Sequence, residues 1–306
     1  MQAVYGYERS EDALPATFRK SLQTSIQSVK DLYIYLLFSV REVANEVDTV
    51  ARIKASKYLP TEEDKRFSTK LLSNSIIQAL NNDDEFLKEL KKTALAGQFE
   101  EAVKQHLYKK MIQTPEYKEY IGSDVEFDYE ADRRMVAHIL NDILLADDLF
   151  LEHVEEVFPS WEDDAEFVVS AVRDVFKKSK GDLKLHLEKN ALRGKFFELC
   201  DFADKLFEKT LQSKEHLEQY IEPYLRNWEM DRVAVLDLIM LRMAITEFTD
   251  FPSIPVKVTI NEYIDMARDY STPKSKDFIN GILDRMMKDM KDNGEIRKTG
   301  RGLLDK

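Results

Sequence analysis

Two stretches near the carboxyl end decide the fold that this sequence predicts: Ile254-Pro255-Val256-Lys257-Val258-Thr259-Ile260-Asn261-Glu262 and Phe278-Ile279-Asn280-Gly281-Ile282-Leu283-Asp284. In each, apolar side chains recur at three- and four-residue spacing, which predicts two helices, at roughly 256–270 and 273–291. Gly281 lies inside the second helix, where glycine costs about 1 kcal/mol relative to alanine. Its presence predicts a close backbone approach at that point.

An aromatic side chain with basic neighbours opens the second helix. Phe278 falls at the margin of the apolar face, and Lys274 and Lys276 precede it. A ring beside cations at a helix start suits stacking on an unpaired nucleic-acid base. An ordinary core phenylalanine accounts for the same pattern equally well, so both interpretations stand.

Composition indicates a helical protein whose fold is not stabilised by disulfides. The chain has 306 residues, enough for one large or two ordinary domains, with only 9 Gly and 8 Pro and no strand pattern. Its single cysteine, Cys200, excludes an intramolecular disulfide and fits a reducing, cytoplasmic location. No stretch of apolar residues is long enough to span a membrane, and the start lacks the features of a secretory signal.

Upstream of the two stretches, apolar periodicity predicts further helices. The clearest is 230–248, which is apolar on almost every side, so other helices must surround it. Asp237 and Arg242 are its only mid-helix charges. Other helices are predicted at 15–50, after Thr61, at 83–96, 98–112, 128–158, 161–178, 189–211 and 213–225. The tail, 293–306, carries little to bury and is predicted to be mobile.

No motif for catalysis, a cofactor or a metal is present, and a non-enzymatic protein is expected. His138 and Asp142 share a helix face at four-residue spacing, which favours an exposed polar pair over a metal site. Five alternating acids imitate a calcium loop but lack its glycine and its final glutamate. They are interpreted as a solvated linker leading into a helix: Asp124, Glu126, Asp128, Glu130 and Asp132.

The net charge of −12 argues against a nucleic-acid partner, but its distribution weakens that argument. Residues 1–190 hold 26 Lys and Arg against 36 Asp and Glu, whereas residues 191–306 hold 19 against 21. The two parts therefore suit different partners.

Four ordered motifs carry a family resemblance that covers about ninety residues. They are the two opening stretches, the second extended to Lys276, together with Tyr220-Ile221-Glu222-Pro223-Tyr224-Leu225 and Leu241-Arg242-Met243-Ala244-Ile245-Thr246-Glu247-Phe248. The segment from about 199 to 290 resembles NusB, the bacterial transcription antitermination factor. The opening Gln2-Ala3-Val4-Tyr5-Gly6-Tyr7-Glu8 looks like the end of that family's first helix.

The resemblance implies an all-α fold of two three-helix bundles and a role in ribosomal RNA transcription. A member of this family binds boxA-like RNA together with the ribosomal protein NusE and joins the RNA polymerase elongation complex. Carried over by motif, Lys274, Lys276, Phe278 and Arg242 would lie at the RNA-binding face. Tyr5, Asp231 and Asp237 would face NusE. For Asp237, a pairing with a cation inside the bundle explains its position equally well.

Two departures from the family pattern shape the expected organisation. An arginine-rich stretch normally opens the first helix, and the absence of a cap at 1–9 suggests that Met1 is internal. The predicted organisation is 1–11 as the remnant of the first helix, 12–190 as an acidic helical insertion, 191–292 as the NusB-like domain and 293–306 as the tail. The insertion is left as either an RNA-repelling flank or a docking surface for another protein.

Two rival functions remain beside the adaptor. A protein-interaction scaffold that keeps the fold without binding RNA is favoured by the missing arginines and the negative charge. An RNA-modifying enzyme is the second, since a NusB-like domain can precede a base-methylating domain, but no methyl-donor motif follows here.

Overall fold

A computed structural model describes residues 1–10, 14–123, 125, 128–178, 193–225 and 232–304, with the backbone alone described at 178 and 193–198. Within these ranges there are fifteen α-helices and no strand, which confirms the all-helical prediction. The helices are α1 (Gln2–Glu8), α2 (Pro15–Ala55), α3 (Glu62–Lys65), α4 (Ser75–Asn82), α5 (Asp84–Thr93), α6 (Glu101–Gln113), α7 (Pro115–Gly122), α8 (Tyr129–His138), α9 (Asp148–Val157), α10 (Trp161–Lys178), α11 (Arg193–Gln212), α12 (Lys214–Ile221), α13 (Val235–Asp250), α14 (Val256–Tyr270) and α15 (Ser275–Asp292).

The chain divides into two compact units. The terminal unit comprises Met1–Ser25 and Leu199–Lys306, and the middle unit comprises Ile26–Glu198. Both divisions fall inside helices, α2 and α11, which is why composition alone did not reveal them.

The middle unit is built around α2. Residues 32–40 of this helix are all buried, because α2 is surrounded there by apolar side chains from the other helices of the unit. Aromatic rings meet edge-on or tilted around Tyr35, whose hydroxyl lies 2.6 Å from Nε2 of the buried His153. This unit therefore has its own hydrophobic core.

The terminal unit is built around α13. Residues 239–248 of this helix are all buried, and α13 packs against α1, α12, α14 and α15. The prediction that other helices surround this apolar helix is confirmed. Val4 of α1 joins the same core.

The insertion was predicted to begin at residue 12, but the start of α2 belongs to the terminal unit. Phe18 packs against its core and meets the ring of Tyr7 edge-on, at 6.1 Å between centroids. Arg19 adds ion pairs to Asp204 at 3.2 Å and to Glu208 at 2.6 Å. These contacts hold the first turns of α2 against α11, so the boundary lies near residue 25.

A buried carboxyl group joins α13 to α14. Glu247 accepts a hydrogen bond from the Thr259 hydroxyl at 2.6 Å and another from the Tyr263 hydroxyl at 3.3 Å. Burial raises the pKa of Glu247, despite these two donors. The same burial, with the nearby carboxylate, raises the pKa of Tyr263. Thr259 of the first opening stretch thus supplies a hydrogen bond to a buried carboxyl group.

The tail was predicted to have little to bury, and the structure corrects this for residues 293–304. The ammonium group of Lys298 donates to the carbonyl oxygens of Glu247 and Phe251, at 3.1 and 3.0 Å. The Thr299 amide donates to the Pro252 carbonyl at 2.9 Å. Gly302 is buried, and a Cβ there would overlap that carbonyl oxygen. The close backbone approach thus lies at Gly302.

Other helices differ from the predicted ones in length. Thr61 does cap a helix, through a capping box with Asp64, but that helix ends at Lys65 and the chain restarts at α4. The predicted helix 128–158 is interrupted, because Asp147 caps a new helix, α9, with its carboxylate accepting the Phe150 amide.

Candidate nucleic-acid interface

The turn between α14 and α15 is fixed by a buried carboxylate. Asp237 of α13 accepts hydrogen bonds from the Ser271 hydroxyl at 2.6 Å and from the Ser275 hydroxyl at 2.7 Å. The Ser275 oxygen in turn accepts the Thr272 amide at 3.2 Å. Asp237 lies on the central helix α13, so these hydrogen bonds fix the position of Lys274, at the start of α15, relative to the core.

Lys274 and Phe278 lie on one face of α15. The Phe278 amide donates to the Lys274 carbonyl at 3.2 Å, so the helical pattern already holds between these residues. Residues four apart lie one above the other on a helix. Lys274 is exposed and forms no ion pair with a described residue, while Phe278 is half-buried at the edge of the core. The structure therefore presents a ring and an ammonium group together at the surface.

Lys276 does not belong to this face. It is exposed, but it precedes Phe278 by two residues, and side chains two apart on a helix point to different sides. The apolar face of α15 separates them, since Ile279 and Leu283 are buried between the two edges. Of the two lysines expected beside the ring, one is there.

Arg242 was expected at the RNA-binding face and lies in the interior instead. Its side chain is 1% exposed, with Nη2 2.7 Å from Oε1 of Glu8 and Nη1 3.2 Å from Oε1 of Glu218. Lys214 also approaches Glu8, at 3.3 Å. Neither Glu8 Oε1 nor Nη1 of Arg242 takes part in a hydrogen bond. The attraction between the arginine and the two carboxylates is therefore mainly coulombic. Arg242 holds α1 and α12 to α13.

The three residues expected to face NusE are placed differently. Tyr5 is 36% exposed on α1, and the guanidinium of Arg9 lies 5.7 Å from its ring centroid. Asp237 is 5% exposed, and its carboxylate accepts hydrogen bonds from two serine hydroxyls of the terminal unit. Asp231 lies outside the described residues.

Gly281 is not closely approached by any part of the chain that the structure describes. It is exposed on α15, and a Cβ added there would have no heavy atom within 4 Å. The close backbone approach predicted at Gly281 is therefore not made by any described residue. The structure shows an open surface in the middle of α15 instead.

A depression beside the second half of α15 was missed, although its two tyrosines lie in one of the quoted motifs. The rings of Tyr220 and Tyr224 lie nearly parallel, at 23°, with centroids 6.1 Å apart, and line a depression of about 580 Å³. Arg285 and Lys288 lie in its wall. The spacing of the two tyrosines on one helical turn was the available signal.

Polar groups singled out in the middle unit are structural. His138 is buried rather than exposed, with Nδ1 2.8 Å from Asp142 and Nε2 3.2 Å from the Thr114 hydroxyl. Asp132 is also buried rather than solvated, because it accepts the Tyr120 hydroxyl at 2.6 Å and both the amide and hydroxyl of Ser75. Asp128 caps α8.

The described residues offer neither a metal-binding cluster nor a membrane-spanning helix. No group of three or more His, Cys, Asp or Glu side chains there could hold a metal ion. In the same part of the chain, every helix is too short or too polar to cross a membrane.

Comparison with known proteins finds similarity over the second half of the chain. Residues 166–288 match the model of the NusB family. Three similar relatives each carry the name transcription antitermination protein NusB. The one from Salinibacter ruber is 45% identical over 104 residues, which is 34% of this chain and 65% of the relative. The one from Chloroherpeton thalassium is 40% identical over 105 residues, 34% of this chain and 50% of the relative.

The third relative, from Natranaerobius thermophilus, is 38% identical over 85 residues, 28% of this chain and 61% of its own length. The chain thus spans less than two thirds of each of these relatives. No solved structure matches it.

Proposed function

From the NusB-family domain that this chain carries at residues 166–288, we propose that the protein is a transcription antitermination factor. It binds boxA-like RNA together with the ribosomal protein NusE and acts on the RNA polymerase elongation complex, chiefly in ribosomal RNA transcription. The observation that carries the RNA part is the pairing of a half-buried ring, Phe278, with an exposed ammonium group, Lys274, on one face of α15.

The chemistry of this face suits a single-stranded nucleic acid. An unpaired base can stack on Phe278, because every base has a flat π-face, and stacking is worth about 1–3 kcal/mol per base. The ammonium group of Lys274 can neutralise an adjacent phosphate and release its counterion. One side of the ring packs against the core and restricts its orientation, so little side-chain conformational entropy is lost on binding.

The NusE part of the proposal rests on Tyr5. Its ring is exposed on α1, and a tyrosine offers both apolar area and a hydroxyl, which makes it a frequent anchor at protein interfaces. Asp237 contributes indirectly, because it fixes the turn before α15.

The test is a pair of binding titrations on the full chain. Fluorescence anisotropy with labelled boxA-type RNA, with and without NusE, is expected to show mutual enhancement of the two affinities, since binding coupling is reciprocal. Two independent affinities would contradict the adaptor role.

Two lysine variants provide a matched comparison for the RNA face. Lys274→Ala is expected to lower the slope of log affinity against log salt by about one, because one phosphate contact is lost. Lys276→Ala removes the same charge on the opposite edge of α15 and is expected to leave that slope nearly unchanged. Phe278→Ala is expected to weaken RNA binding by about 1–3 kcal/mol at all salt concentrations. Equal effects of the two lysine variants would show that only overall charge matters.

A scaffold that binds proteins without RNA is the second candidate function. It is favoured by the net charge of −12 and by the burial of Arg242, which removes one expected cation from the RNA face. It predicts that NusE binds with the same affinity whether or not RNA is present, and that Phe278→Ala changes nothing in the RNA titration.

A further inference from the structure

One edge of α15 continues from the proposed stacking site to the tyrosine depression. An α-helix turns once in 3.6 residues, so Arg285, seven residues after Phe278, returns to the same side. Asp289 follows one further turn along. The core face, with Ile279, Ile282, Leu283, Met286 and Met290, lies to one side of this edge. Seven residues at about 1.5 Å each place Arg285 on the order of 10 Å along the helix from Phe278.

The depression at the far end of this edge is held in shape by hydrogen bonds. Nη2 of Arg285 donates to the Tyr224 carbonyl at 3.1 Å, and its Nε donates to the Gly281 carbonyl at 3.0 Å. The Tyr224 hydroxyl donates to Asp289 at 2.8 Å. Burial raises the pKa of Tyr220 and of Tyr224, so both hydroxyls stay protonated as donors. The two aromatic rings are therefore fixed before any ligand arrives.

Cationic groups flank the rings on the side of α15. Arg285 forms no ion pair with a described residue, which leaves Nη1 available. Among the described residues Lys288 pairs with Asp284 alone, an exposed contact of little strength on the same helix. Two carboxylates, Asp289 and Glu295, complete the wall, and Glu295 accepts from the Asn293 amide at 3.1 Å.

Gly281 lies between the two sites and keeps the path between them open. It is exposed, and an added Cβ would meet nothing within 4 Å. A nucleic-acid strand can therefore lie close to the backbone of α15 there. Keeping this glycine exposed costs helix stability, because alanine would favour the helix.

We propose that the tyrosine depression receives a second base of the same RNA strand whose first base stacks on Phe278. The inference rests on the proposed function. About three stacked nucleotides, at ~3.4 Å each, span the ~10 Å between the sites. Arg285 and Lys288 meet the connecting phosphates, while the carboxylate oxygens lie where the N–H groups of a base can donate to them. A volume of about 580 Å³ is in the range of small-ligand sites.

Two RNA lengths separate this inference from the proposed function. The probes are boxA-type single strands of about three nucleotides, too short to reach both sites, and of about twelve nucleotides, bound to the full chain with NusE present. The test variant is Gly281→Leu, which adds bulk where the structure is open and where the helix gains propensity. Asn280→Leu is the matched control, because this exposed residue points away from the edge.

Gly281→Leu is expected to weaken the longer RNA at least about fivefold and to leave the shorter RNA nearly unchanged. Asn280→Leu should affect neither. Tyr220→Ala is expected to repeat the selective loss. The inference is overturned if Phe278→Ala weakens both RNAs while the Gly281 and Tyr220 variants bind the longer one normally. It is equally overturned if those two variants lose NusE affinity instead, since the depression would then hold a protein. If Phe278→Ala changes neither RNA, the proposed function itself fails.

Discussion

Arg242→Ala offers a direct test of whether this cation serves the interior or a ligand. The guanidinium is 1% exposed and contacts Glu8 and Glu218, which are 10% and 26% exposed. Truncating it leaves the Glu8 carboxylate with Lys214 as its one cationic neighbour among the described residues. Removing one partner of a buried ion pair costs about 3–5 kcal/mol, and the partial exposure of Glu218 puts the expected loss near the lower end, at about 3 kcal/mol.

That loss translates into a large thermal shift. For a unit of about 130 residues, the unfolding entropy is roughly 0.27 kcal/mol/K, so 3 kcal/mol corresponds to about 10 °C. Thermal unfolding followed by circular dichroism, and urea titration, measure the change. Arg268→Ala is the control in the same unit, because that arginine is 55% exposed and pairs with Asp265 and Asp269 on the surface. Its expected effect is within about 0.5 kcal/mol.

A double variant tests the assignment of the lost energy to the ion pair. Arg242→Met combined with Glu8→Gln removes both charges, so it is expected to recover part of the loss that Arg242→Met alone produces. The opposite outcome is an Arg242→Ala variant that keeps the thermal midpoint of the parent and lowers the slope of log RNA affinity against log salt by about one. Such a result would place the arginine at the nucleic acid.

Three further outcomes follow from the packing of the terminal unit. Burial in the folded state raises the pKa of Glu247 above the unfolded value of 4.5, so the folded state binds more protons than the unfolded state just above that pH. The free energy of unfolding therefore falls as pH rises through this range. Urea titrations from pH 4 upward should show Glu247→Gln gaining stability relative to the parent. Gly302→Ala is expected to lower the free energy of unfolding by about 1–3 kcal/mol and to speed hydrogen exchange of 293–304. Gly281→Ala should raise the free energy of unfolding by about 0.5–1 kcal/mol. Equal effects of the two variants would contradict the packing described. Asp237→Ala should cost about 2 kcal/mol in urea, with NusE affinity per folded molecule nearly unchanged; a stable variant that loses NusE would assign the carboxylate to the partner.

Local periodicity predicted the helices well because it reports which face of each helix meets the core. The bounds predicted for α14 and α10 match those observed, and α13 is surrounded as its composition required. The unit boundary inside α2 was missed because a continuous amphipathic helix carries no composition change where its packing partners change. The tail was misjudged because its contacts use backbone carbonyls and a buried glycine, and neither produces an apolar pattern.

The candidate site was only partly predictable. Phe278 and Lys274 follow from helical spacing, and the same spacing, applied fully, separates Lys276 from them. The burial of Arg242 and Asp237 depends on residues far away in the sequence, Glu8 for one and Ser271 for the other. A charge on an apolar helix indicates that it has a partner, but the sequence does not say whether that partner is internal.

Two serine hydroxyls donate hydrogen bonds to the buried Asp237 carboxylate, so the positions of Lys274 and Phe278 depend on a contact in the core of the terminal unit. A change at Ser271 or Ser275 could tilt the first turn of α15 and alter affinity for a ligand that neither residue touches. Residues under selection for binding would then include ones that do not contact the ligand, and mutating surface positions alone would not find them.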